Sequence, residues 1–303
     1  MNPLQFFEDL LLAMSIIMGF SINPMPRLLK PLTLIWIMAT MVIGLSRAQP
    51  PASTAALDFP AGKNHTITLP NTVALDLVWI APGTFTMGAP SLEDGSHEWE
   101  RPQTVVTISK GFWLGKTPVT QGQYQAVMGN NPSRYVKAGL DAPVEMVSWH
   151  DAMKFCDGLT KQEQAAGRLP QGYAYTLPTE AQWEYACRAG TTGARYGNLD
   201  DIAWYAGNSG NSTHPVGQKK PNAFGLYDMI GNVSQWCSDW YSEKLPGGNV
   251  TDPVGPGSAS YRVLRGGCWG DTPEICRSAC RLANHPALHA SLFGFRLALA
   301  PSR

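Results

Sequence analysis

From residue 71 onward the apolar positions fall in short bursts broken by glycine, proline and asparagine, and their period changes from burst to burst. Val73–Met87 (VALDLVWIAPGTFTM) reads as two short strands around the Ala81-Pro82-Gly83 turn. Val105–Ile108 and Phe112–Leu114 resume strand character, while Ser91–Pro102 is acidic and polar and predicts a solvated surface loop. Three helices follow, each announced by a hydroxyl residue with a side-chain acceptor three positions on, the pattern of a capping box. Thr120 with Gln123 starts Gln121–Met128, Ser148 with Asp151 starts Trp149–Leu159, and Thr179 with Gln182 starts Glu180–Arg188, closed by Gly190. In the third helix Trp183, Ala186 and Cys187 share one face and predict a buried stripe. Tyr196–Asn222 is mostly turns, and Tyr261–Leu264 and Phe295–Leu299 predict strands that return the C-terminus to the core.

The densest stretch is Gly225–Tyr241 (GLYDMIGNVSQWCSDWY), which keeps no lasting period of 2 or 3.6. A run this apolar asks for burial, so Asp228, Asn232, Gln235 and Asp239 must find partners inside. Gly231 before Asn232 permits a tight or left-handed bend. The expectation is a core-forming loop with fixed backbone, neither ordinary helix nor strand, around which much of the chain wraps.

Composition narrows the class. With 303 residues, 30 glycines, 24 prolines and 10 tryptophans, the chain fits a loop-rich α+β domain with a large aromatic core. No internal repeat and no composition break within 71–300 argue for a second domain. The formal net charge is zero and no basic run exists, which disfavours nucleic acid as a partner. Residues 1–48 read as an export signal, with a possible true start at Met25. Arg27 and Lys30 precede an apolar stretch from Pro31 to Leu45 and a small–x–small site, Ser46-Arg47-Ala48. Both apolar runs, this one and Leu10–Phe20, are short of the ~20 residues a membrane span needs. Export to a periplasmic or extracellular space, with no stable span after cleavage, is the expectation, and residues 49–70 read as a linker before a domain over 71–303. Asn64-His65-Thr66 is a glycosylation sequon of little weight by itself. The six cysteines (156, 187, 237, 268, 276, 280) would then meet an oxidising compartment and could form three bridges in any of 15 ways.

In order along the chain stand Phe85-Thr86-Met87-Gly88, Lys116-Thr117-Pro118-Val119-Thr120, Pro143-Val144 with Val147-Ser148-Trp149, and LPTEAQWEYACRAG at 177–190. They continue with His214-Pro215-Val216-Gly217, GLYDMIGNVSQW at 225–236, RVLRGG at 262–267 and Gly294-Phe295-Arg296. Together these blocks resemble the formylglycine-generating enzyme, or sulfatase-modifying factor, family over nearly all of 71–300. The resemblance implies a single loop-rich C-type-lectin-like domain. It does not by itself carry the chemistry, because one fold hosts many functions.

In the enzymes that name the family, two cysteines five positions apart, shortly after a Gly-Gly-Ser-Tyr segment, bind copper(I) and use oxygen to turn a substrate cysteine into formylglycine. Thiolates suit that soft ion. The matching stretch here is GGCWGDTPEICRSACR, Gly266–Arg281, with Cys268 at the serine position. Counted from the glycines, the two cysteine positions fall on Asp271 and Cys276; anchored on Arg277, Ala279 and Arg281, neither is cysteine. If the protein is an oxidase, Cys276 with Cys268 or Cys280 would be the thiolate ligands. The blander reading makes these cysteines structural, and the resemblance implies a bridge such as Cys187–Cys280. The loop carrying Asn232, Val233 and Gln235 resembles the family's calcium loop, with Gln235 where a glutamate is usual, so calcium and a plain hydrogen-bond network are both expected. The family's second calcium loop is missing, since Asn208–Pro215 is too short. His285 and His289, with Pro286 between, predict a loop rather than a metal pair. Trp269, Asp271, Arg281 and Arg296 are the candidate binding residues around a pocket formed by 265–281, 290–296 and 232–240, and both arginines are expected to be buried with carboxylate partners. Leu292 replaces an asparagine of the oxidases. Two functions follow as expectations: an oxygen-dependent thiol oxidase acting on an exported client such as a sulfatase or on a small molecule, or a non-catalytic ligand- or peptide-binding accessory module on the same scaffold.

Overall fold

The computed structural model describes residues 61–302, all within one compact unit spanning 55–303. The expected export signal and most of the expected linker lie outside the described residues. Twelve strands and four α-helices appear among them, arranged in three sheets. Strand β1 (His65–Thr68) pairs antiparallel with β2 (Ala74–Ile80), so ordered structure already begins inside the stretch read as a linker. Ile67 explains why: it is buried beside Leu75 and Leu77 in one of two apolar clusters.

Strands β3 (Gly83–Met87), β4 (Thr104–Ile108) and β5 (Phe112–Gly115) follow, as the alternation predicted. All three capping boxes form. Helices α1 (Gln121–Met128), α2 (Trp149–Ala165) and α3 (Glu180–Arg188) each start on a hydroxyl that accepts from the third backbone N–H, while that residue's side chain reaches back. Helix α2 runs past Leu159 because Lys161–Ala165 holds no glycine or proline to stop it. Between α2 and α3 lies β6 (Tyr173–Thr176); the one-turn α4 (Leu199–Ile202) follows α3.

The Gly225–Tyr241 stretch divides in two. Its first half is a chain of turns: Gly231 has φ 78° and Asn232 φ 61°, and a Cβ on Gly231 would collide with the Trp204 carbonyl. Its second half is not a loop but strand β7 (Ser234–Trp240), every residue of which is at least half-buried. With both faces covered, β7 shows no alternation, and the period-2 signal that marks a one-sided strand is missing.

The remaining strands are β8 (Asn249–Thr251), β9 (Arg262–Arg265), β10 (Arg281–Asn284), β11 (Phe293–Phe295) and β12 (Ala298–Pro301). The sheet orders are β1-β2-β5-β12-β6, β10-β9-β7-β11 and β3-β4-β8. The expected strand Phe295–Leu299 is thus two strands in different sheets: β11 lies parallel to β7, and β12 sits between β5 and β6. Among the described residues no helix is long and apolar enough to cross a membrane. The mixture of short helices and sheets is an α+β fold.

Candidate functional site

The Gly266–Arg281 segment leaves β9 through two glycines with φ 95° and 69°. A Cβ on Gly266 would sit 2.6 Å from the Met229 carbonyl, and one on Gly267 would sit 3.1 Å from the Cys276 sulfur. The chain therefore passes close to the core at this point, with the Cys276 thiol packed against it. Asp271 closes the next turn: its carboxylate accepts from the Cys268 N–H at 2.9 Å, and its own N–H donates to the Cys268 carbonyl.

Three arginines pin this segment to distant parts of the chain. Arg265 pairs with Glu184 and Glu180, and Arg281 makes a bidentate pair with Glu180 at 2.6 and 2.8 Å. Arg277 makes a second bidentate pair with Glu100, at 2.6 and 2.8 Å, and reaches Glu93 at 2.6 Å. All of these side chains are more than nine-tenths buried. The acids of Ser91–Glu100 are therefore not simply a solvated loop; Glu93 and Glu100 are buried counter-ions, 184 and 177 residues away from their partner.

The thiols are sealed in. All six cysteines are buried and unbridged. The bridge expected between Cys187 and Cys280 is not formed; Cys187 instead lies 3.6 Å from the Ser278 hydroxyl. Burial pushes the Cys276 thiol up to about 12 and the Cys280 thiol to about 12, with Asp271 adding to the first and Glu100 to the second. Cys268 is raised further, by burial and then by the Asp271 charge. At neutral pH all three keep their protons, so a soft metal would have to displace them and reach buried sulfur. Among the described residues no group of three or more His, Cys, Asp or Glu side chains could hold a metal ion.

The expected calcium loop is filled by protein hydrogen bonds. Asn232 accepts from the His214 N–H at 3.1 Å and donates to the His214 carbonyl at 3.0 Å, clasping that residue on both sides. The Gln235 side-chain oxygen accepts from Trp183 Nε1 at 2.9 Å and from Arg296 Nε at 3.1 Å. A cation at that oxygen would meet a buried guanidinium, so the Gln235 side chain has no oxygen to spare for calcium. Val233 is fully buried beside them and packs close to Gly294. Arg296 is buried as expected, but its direct partners besides Gln235 are the carbonyls of Gly115, Tyr227 and Asp228 rather than a carboxylate. The Asp228 charge still favours the cation, yet burial outweighs it and lowers the Arg296 pKa to about 10.

Trp269 and Asp271 remain half-buried at the surface of this segment. Trp269 is fixed by its indole N–H on the Ser291 carbonyl and its backbone N–H on the Asn232 carbonyl, with the Tyr135 ring edge-on at 5.3 Å. Here the structure joins Trp269, Asp271 and Asn232, whereas Arg296 is enclosed in the core and Arg281, paired with Glu180, faces a separate cleft. His289 is a surface residue hydrogen-bonded to Asp151 at 2.8 Å.

Two features escaped the sequence. Glu145 is fully buried: one oxygen accepts from the Tyr135 N–H at 2.7 Å, while the other has no hydrogen-bond partner. Burial lifts its pKa to about 7 against the pull of Arg134. The second is a cleft of about 450 Å³ beside β7 and β8, walled by Trp240, Leu245, Val250 and Val254 and by Pro246, Pro253 and Pro256, with Glu180, Asp239 and Arg281 among its lining. Its walls come from Trp240–Pro256, where the only sequence signal is a cluster of prolines and glycines.

Residues 65–301 match the family model described as the sulfatase-modifying factor enzyme 1-like domain. A chaperone protein, LppX, of Paenibacillus barcinonensis is 32% identical over 245 residues, covering 65% of this chain and 80% of the relative. A formylglycine-generating enzyme of Streptomyces coelicolor is 37% identical over 177 residues; the match spans about half of each, 52% and 52%. Among solved structures, Treponema denticola variable protein 1 superposes with a TM-score of 0.70 at 32% identity, covering 78% of this chain and 99% of that one.

Proposed function

This chain belongs to the sulfatase-modifying factor family, and from that premise we propose that it is a binding or accessory module rather than an oxidase of cysteine. The observation that carries the reading is the state of the Gly266–Arg281 segment. Where the family's oxidases carry two cysteines, the pair is incomplete here in either register: Asp271 with Cys276 counted from the glycines, and no cysteine counted from Arg277, Ala279 and Arg281; the thiols nearby are buried. Asp271 works against thiolate formation at both Cys268 and Cys276, because its charge repels a second anion. The donor set therefore fits copper(I) poorly.

The cleft at Trp240–Pro256 supports the binding reading. Its volume, about 450 Å³, suits a small group or one large side chain of a client, and apolar walls over a few polar groups are the usual make-up of a recognition site. The name of the Paenibacillus relative, a chaperone protein, agrees with an accessory role towards another protein. A sulfatase is one client that family membership would allow. Export by the amino-terminal segment would place the encounter outside the cytoplasm.

The test is a copper(I) titration with a thiol count on the purified chain, made without reductant. The expected result is no stoichiometric copper(I) uptake by the native protein and six reactive thiols only after denaturation. Tight uptake of one copper(I) per chain with loss of two thiol titres would overturn the reading in favour of the oxidase.

A further inference from the structure

A row of hollows, separate from the Gly266–Arg281 segment and the Trp240 cleft, shares walls across one side of the fold. The first, about 370 Å³, is bounded by Phe85, Tyr185 and Phe224 with Thr84, Thr86 and Thr192. The Phe85 and Tyr185 rings stand 5.3 Å apart, and Tyr185 and Phe224 5.9 Å apart. Phe224 also walls the second hollow, about 380 Å³, which continues past Asn64 and Thr66 to Tyr227. Tyr227, Asp76 and Lys116 are shared in turn with the third, about 570 Å³, which ends at Thr117 and Asp141.

We infer that this groove is a binding site for a linear, uncharged glycan, with Phe224 and Tyr227 as stacking platforms between successive sugar units. Four aromatic rings along one groove are left half-buried, which forgoes burial that a core position would supply. A pyranose ring matches them, since its axial C–H face is apolar and its rim carries hydroxyls. The groove offers those hydroxyls the complementary partners: threonine hydroxyls, the Asn64 amide and the Asp76 and Asp141 carboxylates.

Charge narrows the ligand. Arg188, at the first hollow, is locked by Glu184 at 2.9 Å and by the Gly88 and Gly193 carbonyls. Lys116 lies 3.6 Å from Asp76, leaving Asp141 uncompensated by a salt bridge. A phosphate backbone or an acidic glycan would face two carboxylates, Asp76 and Asp141, against one exposed cation, Lys116, already 3.6 Å from Asp76. Three consecutive hollows favour a chain of several units over a single sugar.

The experiment is calorimetric titration of the full chain with cellohexaose, maltohexaose and chitohexaose, and with the disaccharide of each series. At least one hexasaccharide is expected to saturate with a Kd of ~0.1–1 mM, and its disaccharide to bind at least ~10-fold more weakly. Phe224→Ala and Tyr227→Ala should each weaken the hexasaccharide ~10-fold in variants that still unfold cooperatively, with Phe224→Ala also lowering the melting temperature because its ring packs on Tyr185. The length dependence of the parent protein stands as evidence even if a variant fails to fold. Silence of all three hexasaccharides up to ~10 mM overturns the inference. So do equal affinities for disaccharide and hexasaccharide, or full affinity in both folded variants. The copper(I) result bears on a different part of the molecule, so the two proposals fail independently.

Discussion

Glu145 is where a single residue should be felt most directly. Its ordinary pKa of 4.5 is lifted by burial to about 7 in the folded protein, so the native state holds a proton that the unfolded chain releases. Stability from this group is therefore complete below pH 4.5, declines as pH rises towards 7, and is flat above. The full span is worth at most about 3 kcal/mol. Glu145→Gln keeps an acceptor for the Tyr135 N–H and abolishes the titration, so the variant should match the parent at pH 4 and exceed it by ~1–3 kcal/mol at pH 8. Urea unfolding at the two pH values measures this, and parallel losses in parent and variant would remove Glu145 as the cause. Residue chemistry of this kind was only partly legible in the sequence. That the cysteine pair is incomplete follows from the family resemblance in either register, with Asp271 at the first position when counted from the glycines, whereas Glu145 carries no local mark. Its burial depends on Ser133 and Tyr135 approaching from the preceding loop.

At the scale of elements, what is local was readable and what is cooperative was not. The three capping boxes were legible because hydroxyl and acceptor lie three residues apart and need no tertiary partner. Thr179→Ala removes the acceptor of the Gln182 N–H at the start of α3, and the lost cap should cost ~1 kcal/mol. Thr179→Ser keeps the hydroxyl and should recover most of it, as a denaturant midpoint series would show. By contrast β7 reads as a loop in the sequence because a strand covered on both faces shows no alternation, and its neighbours β9 and β11 lie far along the chain. The same stretch bears on calcium. With Gln235 already accepting from Trp183 and Arg296, added calcium or a chelator should leave the melting temperature within ~1 °C. A calcium-dependent rise of several degrees would mean that this hydrogen-bond network opens to admit the ion.

For the whole molecule, the decisive feature is that the thiol-bearing segment is held by ion pairs closing loops of 81 to 184 residues. No period or motif announces such pairs, which is why the acids at 93 and 100 read as surface charge. Their consequence is that access to the thiols is governed by the fold as a unit. Removing one partner of a buried pair strands the other, at a cost of ~3–5 kcal/mol. Arg277→Met would strand Glu100 and free the segment around Cys276 and Cys280, while Cys156, in the apolar cluster around Trp113 and Phe155, stays sealed. Alkylation at rising urea, read peptide by peptide, should then label Cys276 and Cys280 before Cys156 in the variant. In the parent all three should label together at the global transition. Simultaneous labelling in the variant would mean that the arginine frame adds stability without gating the segment. Early labelling of Cys276 in the parent would mean that the segment opens by itself and that its thiols are within reach of metal after all.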